Sequence, residues 1–76
     1  MKYTIMNNTD GIMASPDIFS SIKKAKEFII NFPKRFEFQG YYLTNKRQRI
    51  NPEEVEISIL DDTGKEIYNN QYGDYK

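Results

Sequence analysis

The chain has 76 residues, no cysteine, no histidine and equal numbers of basic and acidic side chains, 11 of each. One domain fits this length, and the missing residue types exclude a disulfide framework, a histidine-dependent nucleophile and an ordinary zinc site. The sequence has no apolar run long enough to span a membrane and no signal-peptide pattern, so we expect a cytoplasmic protein with no membrane association.

The first nineteen residues predict a β-hairpin. Residues 2–6 read as a strand, with Tyr3 and Ile5 on one face. A turn cluster at residues 7–11 ends in Asp-Gly, and residues 12–15 would return as the second strand.

The stretch from Ser20 to Gly40 has the clearest helical period in the chain. Its apolar residues recur at steps of three and four and form one stripe, with Phe28 beside it. Ser20 or Ser21 can cap the start, and Gly40 suits the left-handed residue that closes a helix. Pro33 removes a backbone donor, so we expect a kink or a break near it. The stripe residues, which we assign to the core, are Ile22, Ala25, Ile29, Phe32 and Phe36.

The segment after this helix predicts a second hairpin. Alternation along its first strand places Tyr41 and Leu43 toward the core and Tyr42 toward solvent. Asn45 tolerates the left-handed backbone region and begins the turn, and Arg49 begins the returning strand.

The last third of the chain predicts a single helical turn followed by strands. Asn51 and Pro52, with glutamate next, are typical of a helix start. Residues 55–60 alternate in polarity and predict a strand with Ser58 and Glu56 facing outward. The residues predicted to face inward are Val55, Ile57 and Ile59.

A turn at residues 61–64 would lead to an edge strand at residues 65–69, and the polar residues 70–76 predict a frayed tail. The whole pattern indicates one α+β domain over residues 1–76. We expect a small antiparallel sheet of three to five strands in the order β-β-α-β-β, with a possible further strand, and one helix packed across it.

Charge is distributed unevenly along the chain. Residues 20–49 hold eight basic side chains against two acidic ones, and residues 50–76 hold seven acidic against two basic. The two segments either form faces of opposite sign or are folded together so that they neutralise one another.

The sequence offers no motif for catalysis or for a cofactor. It has neither of the common glycine-rich phosphate-binding patterns. The carboxylate pairs at residues 53–54 and 61–62 lie in hydrophilic, turn-like stretches, whereas general acid–base catalysis needs two carboxylates in unlike, partly buried environments. The spacing after Asp61 does not fit a calcium-binding EF-hand. We therefore expect a non-enzymatic protein that uses no cofactor and no metal.

The second hairpin is the strongest candidate for binding. Tyr42 precedes a turn that carries Lys46, Arg47 and Arg49. An aromatic platform beside cations can bind single-stranded nucleic acid by stacking and phosphate contacts. Since the pI near 6.2 is low for a nucleic-acid-binding domain, and surface cations also serve solubility, nucleic-acid binding is the alternative hypothesis.

Four hydrophobic residues fall off the predicted core faces: Ile30, Phe38, Tyr42 and Leu60. Either loops cover them or they form an exposed patch, which would mark a protein partner or a dimer interface. Pairing through the edge strand is a second route to a dimer. The first hypothesis is therefore a protein-interaction module of adaptor or inhibitor type, whose partner is another protein or a second copy. The predicted contact residues are Tyr42, Lys46, Arg47 and Arg49, with Ile30 and Leu60 as apolar anchors.

One segment resembles part of a group of small bacterial proteins of unassigned function. It consists of Gln-Gly-Tyr-Tyr-Leu-Thr at residues 39–44, Arg-Ile at 49–50 and Pro-Glu-Glu-Val at 52–55. The similar proteins tend to carry glycine in the turn, where this chain has Asn-Lys-Arg-Gln at residues 45–48. The resemblance implies a hairpin after the helix and implies no activity.

Overall fold

The computed structural model describes residues 1–74, which form an α-helix, two 3₁₀ helices and seven short strands. The strands are β1 (Thr4–Asn7), β2 (Ile12–Met13), β3 (Tyr42–Leu43), β4 (Arg49–Ile50), β5 (Ile57–Leu60), β6 (Glu66–Asn69) and β7 (Gly73–Asp74). The helices are α1 (Ile22–Asn31) and the 3₁₀ segments Phe32–Phe36 and Pro52–Glu54.

The strands form two separate antiparallel sheets, and the arrangement confirms the predicted α+β class. Five strands pair in the order β2-β1-β5-β6-β7. The hairpin of β3 and β4 forms its own two-stranded sheet instead of joining the larger one. It is therefore held to the rest of the molecule by side chains and not by a shared backbone ladder.

Helix α1 begins and ends where the sequence indicates. The Ser21 side chain accepts a hydrogen bond from the backbone N–H of Lys24. Pro33 has no N–H to continue the α-helical ladder, and the chain tightens into a 3₁₀ helix at Phe32. The break predicted near Pro33 is thus confirmed. The buried stripe begins at Ala25, one turn later than predicted, because Ile22 is 39% exposed.

One face of the large sheet is covered by α1. The register pairs Ile5 with Ile59 and Asn7 with Ile57, which places these four side chains on one face. The inward alternation predicted for β5 is confirmed. The buried apolar residues that form the core are Tyr3, Ile5, Ala25, Ile29, Phe32, Tyr42, Val55, Ile57 and Ile59.

Ser58 lies on the opposite face, as predicted, but it has no exposed surface. Its hydroxyl donates to the Glu66 carboxylate and accepts from the side-chain amides of Asn8 at 2.6 Å and Asn69 at 3.2 Å. These partners come from β6 and from the turn after β1, so the burial depends on contacts that the local alternation of β5 does not encode.

The C-terminal segment differs from the prediction in one respect. Strand β6 is not an edge, because β7 pairs with its outer side. At the start of the predicted tail, the Asn70 side chain donates to the Val55 carbonyl at 2.8 Å and accepts from the Ile57 N–H at 2.9 Å. The last two residues of the predicted tail, 75–76, lie outside the described residues.

Within residues 1–74, no helix has the length and the apolar character needed to cross a membrane. The same described residues contain no group of three or more carboxylate, imidazole or thiol side chains that could hold a metal ion.

Candidate interaction site on the β3–β4 hairpin

Tyr42 anchors the hairpin to the core. Its ring packs edge-on against Phe36, with centroids 5.1 Å apart, and lies 6.1 Å from the Phe32 ring. Both phenylalanines belong to the 3₁₀ helix that follows α1. The break at Pro33 therefore presents the aromatic surface on which the hairpin packs.

A polar cluster fixes the orientation of this tyrosine. The Tyr42 hydroxyl donates to the Asp10 carboxylate and accepts a hydrogen bond of 3.0 Å from the Asn7 side chain. Asp10 also holds the turn that follows β3. Its Oδ1 accepts from the Asn45 N–H and its carbonyl accepts from Asn45 Nδ2, each at 3.0 Å. The turn between β1 and β2 thus clamps the hairpin at two points.

Burial of Tyr42 raises the pKa of its phenol above the usual value of 10.0, and the hydrogen bond to Asp10 adds to the rise. The bond donated by Asn7 acts in the opposite direction, because it favours the phenolate. Tyr42 therefore stays neutral and donates a hydrogen bond to Asp10 throughout the physiological pH range.

The other face of the hairpin points away from the core. Tyr41, Leu43 and Arg49 share it, because side chains two apart on a strand lie on one face and Leu43 pairs with Arg49. The Arg49 guanidinium lies 4.6 Å from the centroid of the Tyr41 ring, and Leu43 is 50% exposed. We call these three residues the hairpin face.

The tip of the hairpin is basic and tightly bonded. The Thr44 hydroxyl accepts from the N–H groups of Lys46 and Gln48, and its carbonyl accepts from the N–H of Arg47. Lys46 and Arg47 are exposed. Arg47 has a φ of +62°, a left-handed backbone conformation that residues other than glycine rarely adopt.

These positions correct the predicted hairpin. The alternation predicts that Tyr42 faces solvent, but Tyr42 is 8% exposed, and Tyr41 and Leu43 face outward instead. The reason is that Phe32 and Phe36 supply an aromatic surface for one tyrosine, and two adjacent tyrosines give no local signal of which one takes it. The left-handed residue is Arg47 and not Asn45, whose backbone and side chain are both bonded to Asp10.

The predicted apolar patch does not form as one surface. Ile30 is 64% exposed on α1, and Phe38 is 86% exposed in the turn before β3. Leu60 is half-buried and pairs with Thr4 on the sheet face that α1 does not cover. The sheet therefore separates Leu60 from Ile30, and Tyr42 is buried.

The structure contains a cleft at the base of the hairpin that the sequence pattern does not predict. It has a volume of about 250 Å³ and lies where the two 3₁₀ helices approach each other. Its apolar surface comes from two prolines and a phenylalanine, and Glu37 and Glu53 add two exposed carboxylates. The lining residues are Pro33, Phe36, Glu37, Gly40, Asn51, Pro52 and Glu53. The sequence indicates a helix start at each of the two prolines, Pro33 and Pro52, but it does not indicate that residues so distant in the chain meet.

Comparisons with known proteins add no functional assignment. No family model matches the chain, and no curated protein or solved structure matches it. Function is therefore inferred from the geometry of the hairpin and its cleft.

Proposed function

We propose that the protein is a non-enzymatic interaction module, of adaptor or inhibitor type, that binds a protein partner through the hairpin face. The observation that carries this proposal is the stacked pair of Arg49 and Tyr41 beside the half-exposed Leu43. Tyrosine and arginine are among the residue types most enriched at binding hot spots, and a stacked guanidinium loses less freedom when a partner covers it.

The anchoring of the hairpin supports the same function. Tyr42 and Asn45 are bonded to Asp10, so the backbone behind the hairpin face is fixed before any partner arrives. A preorganised surface binds more tightly than a mobile one because less conformational entropy is lost on association.

The chemistry of Ser58 argues against a catalytic alternative. Its hydroxyl is bonded to the carboxylate of Glu66, which resembles a nucleophile beside a base. Ser58 has no exposed surface, however, so a substrate does not reach it. The cluster around Ser58 is better explained as a buried hydrogen-bond network that joins β5 to β6.

Single-stranded nucleic-acid binding is the second candidate. Three exposed cations within four residues, Lys46, Arg47 and Arg49, favour it. The expected stacking platform, Tyr42, is buried, and the Arg49 guanidinium lies over the ring of Tyr41. Protein binding is therefore the better supported of the two.

A capture experiment from the native lysate tests both candidates. The hairpin variant is Leu43→Ala/Arg49→Ala, and the matched control is Ile30→Ala/Lys34→Ala, which removes one exposed aliphatic and one exposed cationic side chain from the helical layer. We expect the wild type and the control to retain a protein that the hairpin variant loses, with and without nuclease.

Three outcomes would count against the proposal. Equal capture by the hairpin variant would show that the surface lies elsewhere. Loss of capture in the control alone would move the surface to α1. Capture that disappears after nuclease, and that weakens steeply with added salt, would favour nucleic acid. Thermal melts of each variant would show that the fold is intact.

A further inference from the structure

The cleft at the base of the hairpin has the chemistry of a receptor for a long cationic side chain. Its apolar surface, formed by Pro33, Phe36 and Pro52, suits an aliphatic stem. At its rim, Glu37 and Glu53 supply two carboxylates, and neither accepts a hydrogen bond within residues 1–74. Arginine combines such a stem with a planar group that pairs with carboxylates in a fixed geometry.

The same hairpin supplies a matching side chain at its other end. Arg47 is exposed at the tip, and its side chain has no hydrogen-bond partner among the described residues. Residues 41–44 separate the base from the tip, and four extended residues span roughly 13 Å. Arg47 therefore does not reach the cleft of its own chain, and only a second molecule can bring an arginine tip to that cleft.

A two-fold axis brings the complementary ends together. If two hairpins lie antiparallel, the basic tip of each meets the acidic base of the other, and Leu43, midway between base and tip, lies near the axis. Such an interface uses one patch on both copies, as two-fold dimers require.

We propose that the cleft between Pro33 and Pro52 receives Arg47 from a second copy of the chain, so that two hairpins pair antiparallel in a symmetric dimer. This inference rests on the proposed interaction function and names its partner. Each dimer contains two such contacts, both between groups of opposite charge, so added salt weakens the association.

Charge reversal gives a direct test by sedimentation or light scattering over a range of protein concentrations. We expect the wild type to dimerise at low ionic strength. Arg47→Glu alone and the pair Glu37→Lys/Glu53→Lys alone should each raise the dissociation constant by about tenfold or more, because each variant opposes like charges at both contacts. All three positions are exposed or lie at the rim, and melting curves would show that the variants remain folded.

A mixture of Arg47→Glu with Glu37→Lys/Glu53→Lys gives the most direct test of the pairing. In the mixed dimer, the glutamate tip of one chain faces the lysine cleft of the other, and the arginine tip faces the unchanged carboxylates. Both contacts are therefore restored, and we expect association to recover to near the wild-type level. The matched control is Lys23→Glu, which reverses an exposed charge on α1 and should leave dimerisation unchanged.

Three results would overturn the inference: a wild type that stays monomeric, variants that dimerise as well as the wild type, or a mixture that fails to recover. These failures are distinguishable from failure of the proposed function. A monomeric wild type whose hairpin variant still loses a lysate protein would place another protein, and not a second copy, on this surface.

Discussion

The large sheet and the hairpin are held in place by different forces. Ile5, Ile57 and Ile59 lie side by side under α1 with almost no exposed surface, so this region rests on apolar burial. The hairpin turns only Tyr42 and the half-buried Ile50 toward the core, and hydrogen bonds to Asp10 hold it as well. The molecule therefore separates a region that provides stability from one that presents a surface.

This difference has a consequence for substitutions. Changes in the sheet should affect the free energy of unfolding and leave binding intact in whatever protein remains folded. Changes on the hairpin face should do the reverse, because Tyr41, Leu43 and Arg49 contact solvent and one another more than the core. Tyr42 lies at the boundary between the two regions.

The largest expected effect is in the sheet. Ile59→Ala removes a fully buried side chain from the centre of the five strands and should lower the free energy of unfolding by about 2–5 kcal/mol. Denaturant unfolding measures this change. Leu43→Ala, an aliphatic truncation on the exposed hairpin face, is the control and should change stability by less than about 0.5 kcal/mol. Similar losses at the two positions would contradict the division into two regions.

Tyr42→Phe tests the boundary between the large sheet and the hairpin face. The ring still packs on Phe36, but Asp10 and Asn7 lose a partner, so we expect a loss of about 1–3 kcal/mol. Tyr41→Phe is the control, since its hydroxyl has no hydrogen bond within residues 1–74. An equal loss in both variants would mean that the Asp10 cluster contributes nothing specific.

The same substitution has a pH signature. The pKa of Tyr42 is raised in the folded state above 10.0, so the folded protein holds this proton more firmly than the unfolded chain. The contribution is fully present below pH 10 and is lost as the pH rises from there through the folded pKa. Above pH 10, wild-type stability should therefore fall more steeply than that of Tyr42→Phe. If the stabilities of the wild type and Tyr42→Phe, measured in denaturant at increasing pH, fall in parallel, the raised pKa of Tyr42 does not contribute to stability.

Elements that depend on local pattern were predictable from the sequence. The alternation of β5, the cap at Ser21 and the turn that begins with Asn51 and Pro52 all follow from residues close together in the chain. The break at Pro33 follows from one missing donor. In each case the physical cause lies within a few residues of its effect.

The features of the candidate site depend on partners distant in sequence. Tyr42 is buried because Asp10 and Phe36 receive it, and alternation alone does not choose between adjacent tyrosines. The cleft joins Pro33 to Pro52 through the approach of two 3₁₀ helices. Strand β7 has two residues, Gly73–Asp74, too few for a periodic signal. Tertiary contacts, and not local pattern, thus decide where the surface lies.

Arg47→Gly at the hairpin tip has the smallest expected effect on stability. It distinguishes the cost of backbone strain from the contribution of Arg47 to binding. Arg47 has a left-handed backbone conformation that costs about 1–2 kcal/mol for a residue with a side chain. Arg47→Gly removes that cost but loosens the unfolded chain, so the net gain should be up to about 1 kcal/mol in denaturant unfolding of dilute protein. Lys46→Gly, at a position without positive φ, should lose stability instead.

The same Arg47→Gly variant should also dimerise less well than the wild type, because it lacks the cation that enters the neighbouring cleft. A protein that becomes more stable while its association weakens would indicate that the strained arginine is kept for binding. If stability and dimerisation rise together, the tip is a turn with an unfavourable residue, and the interaction surface lies elsewhere on the hairpin.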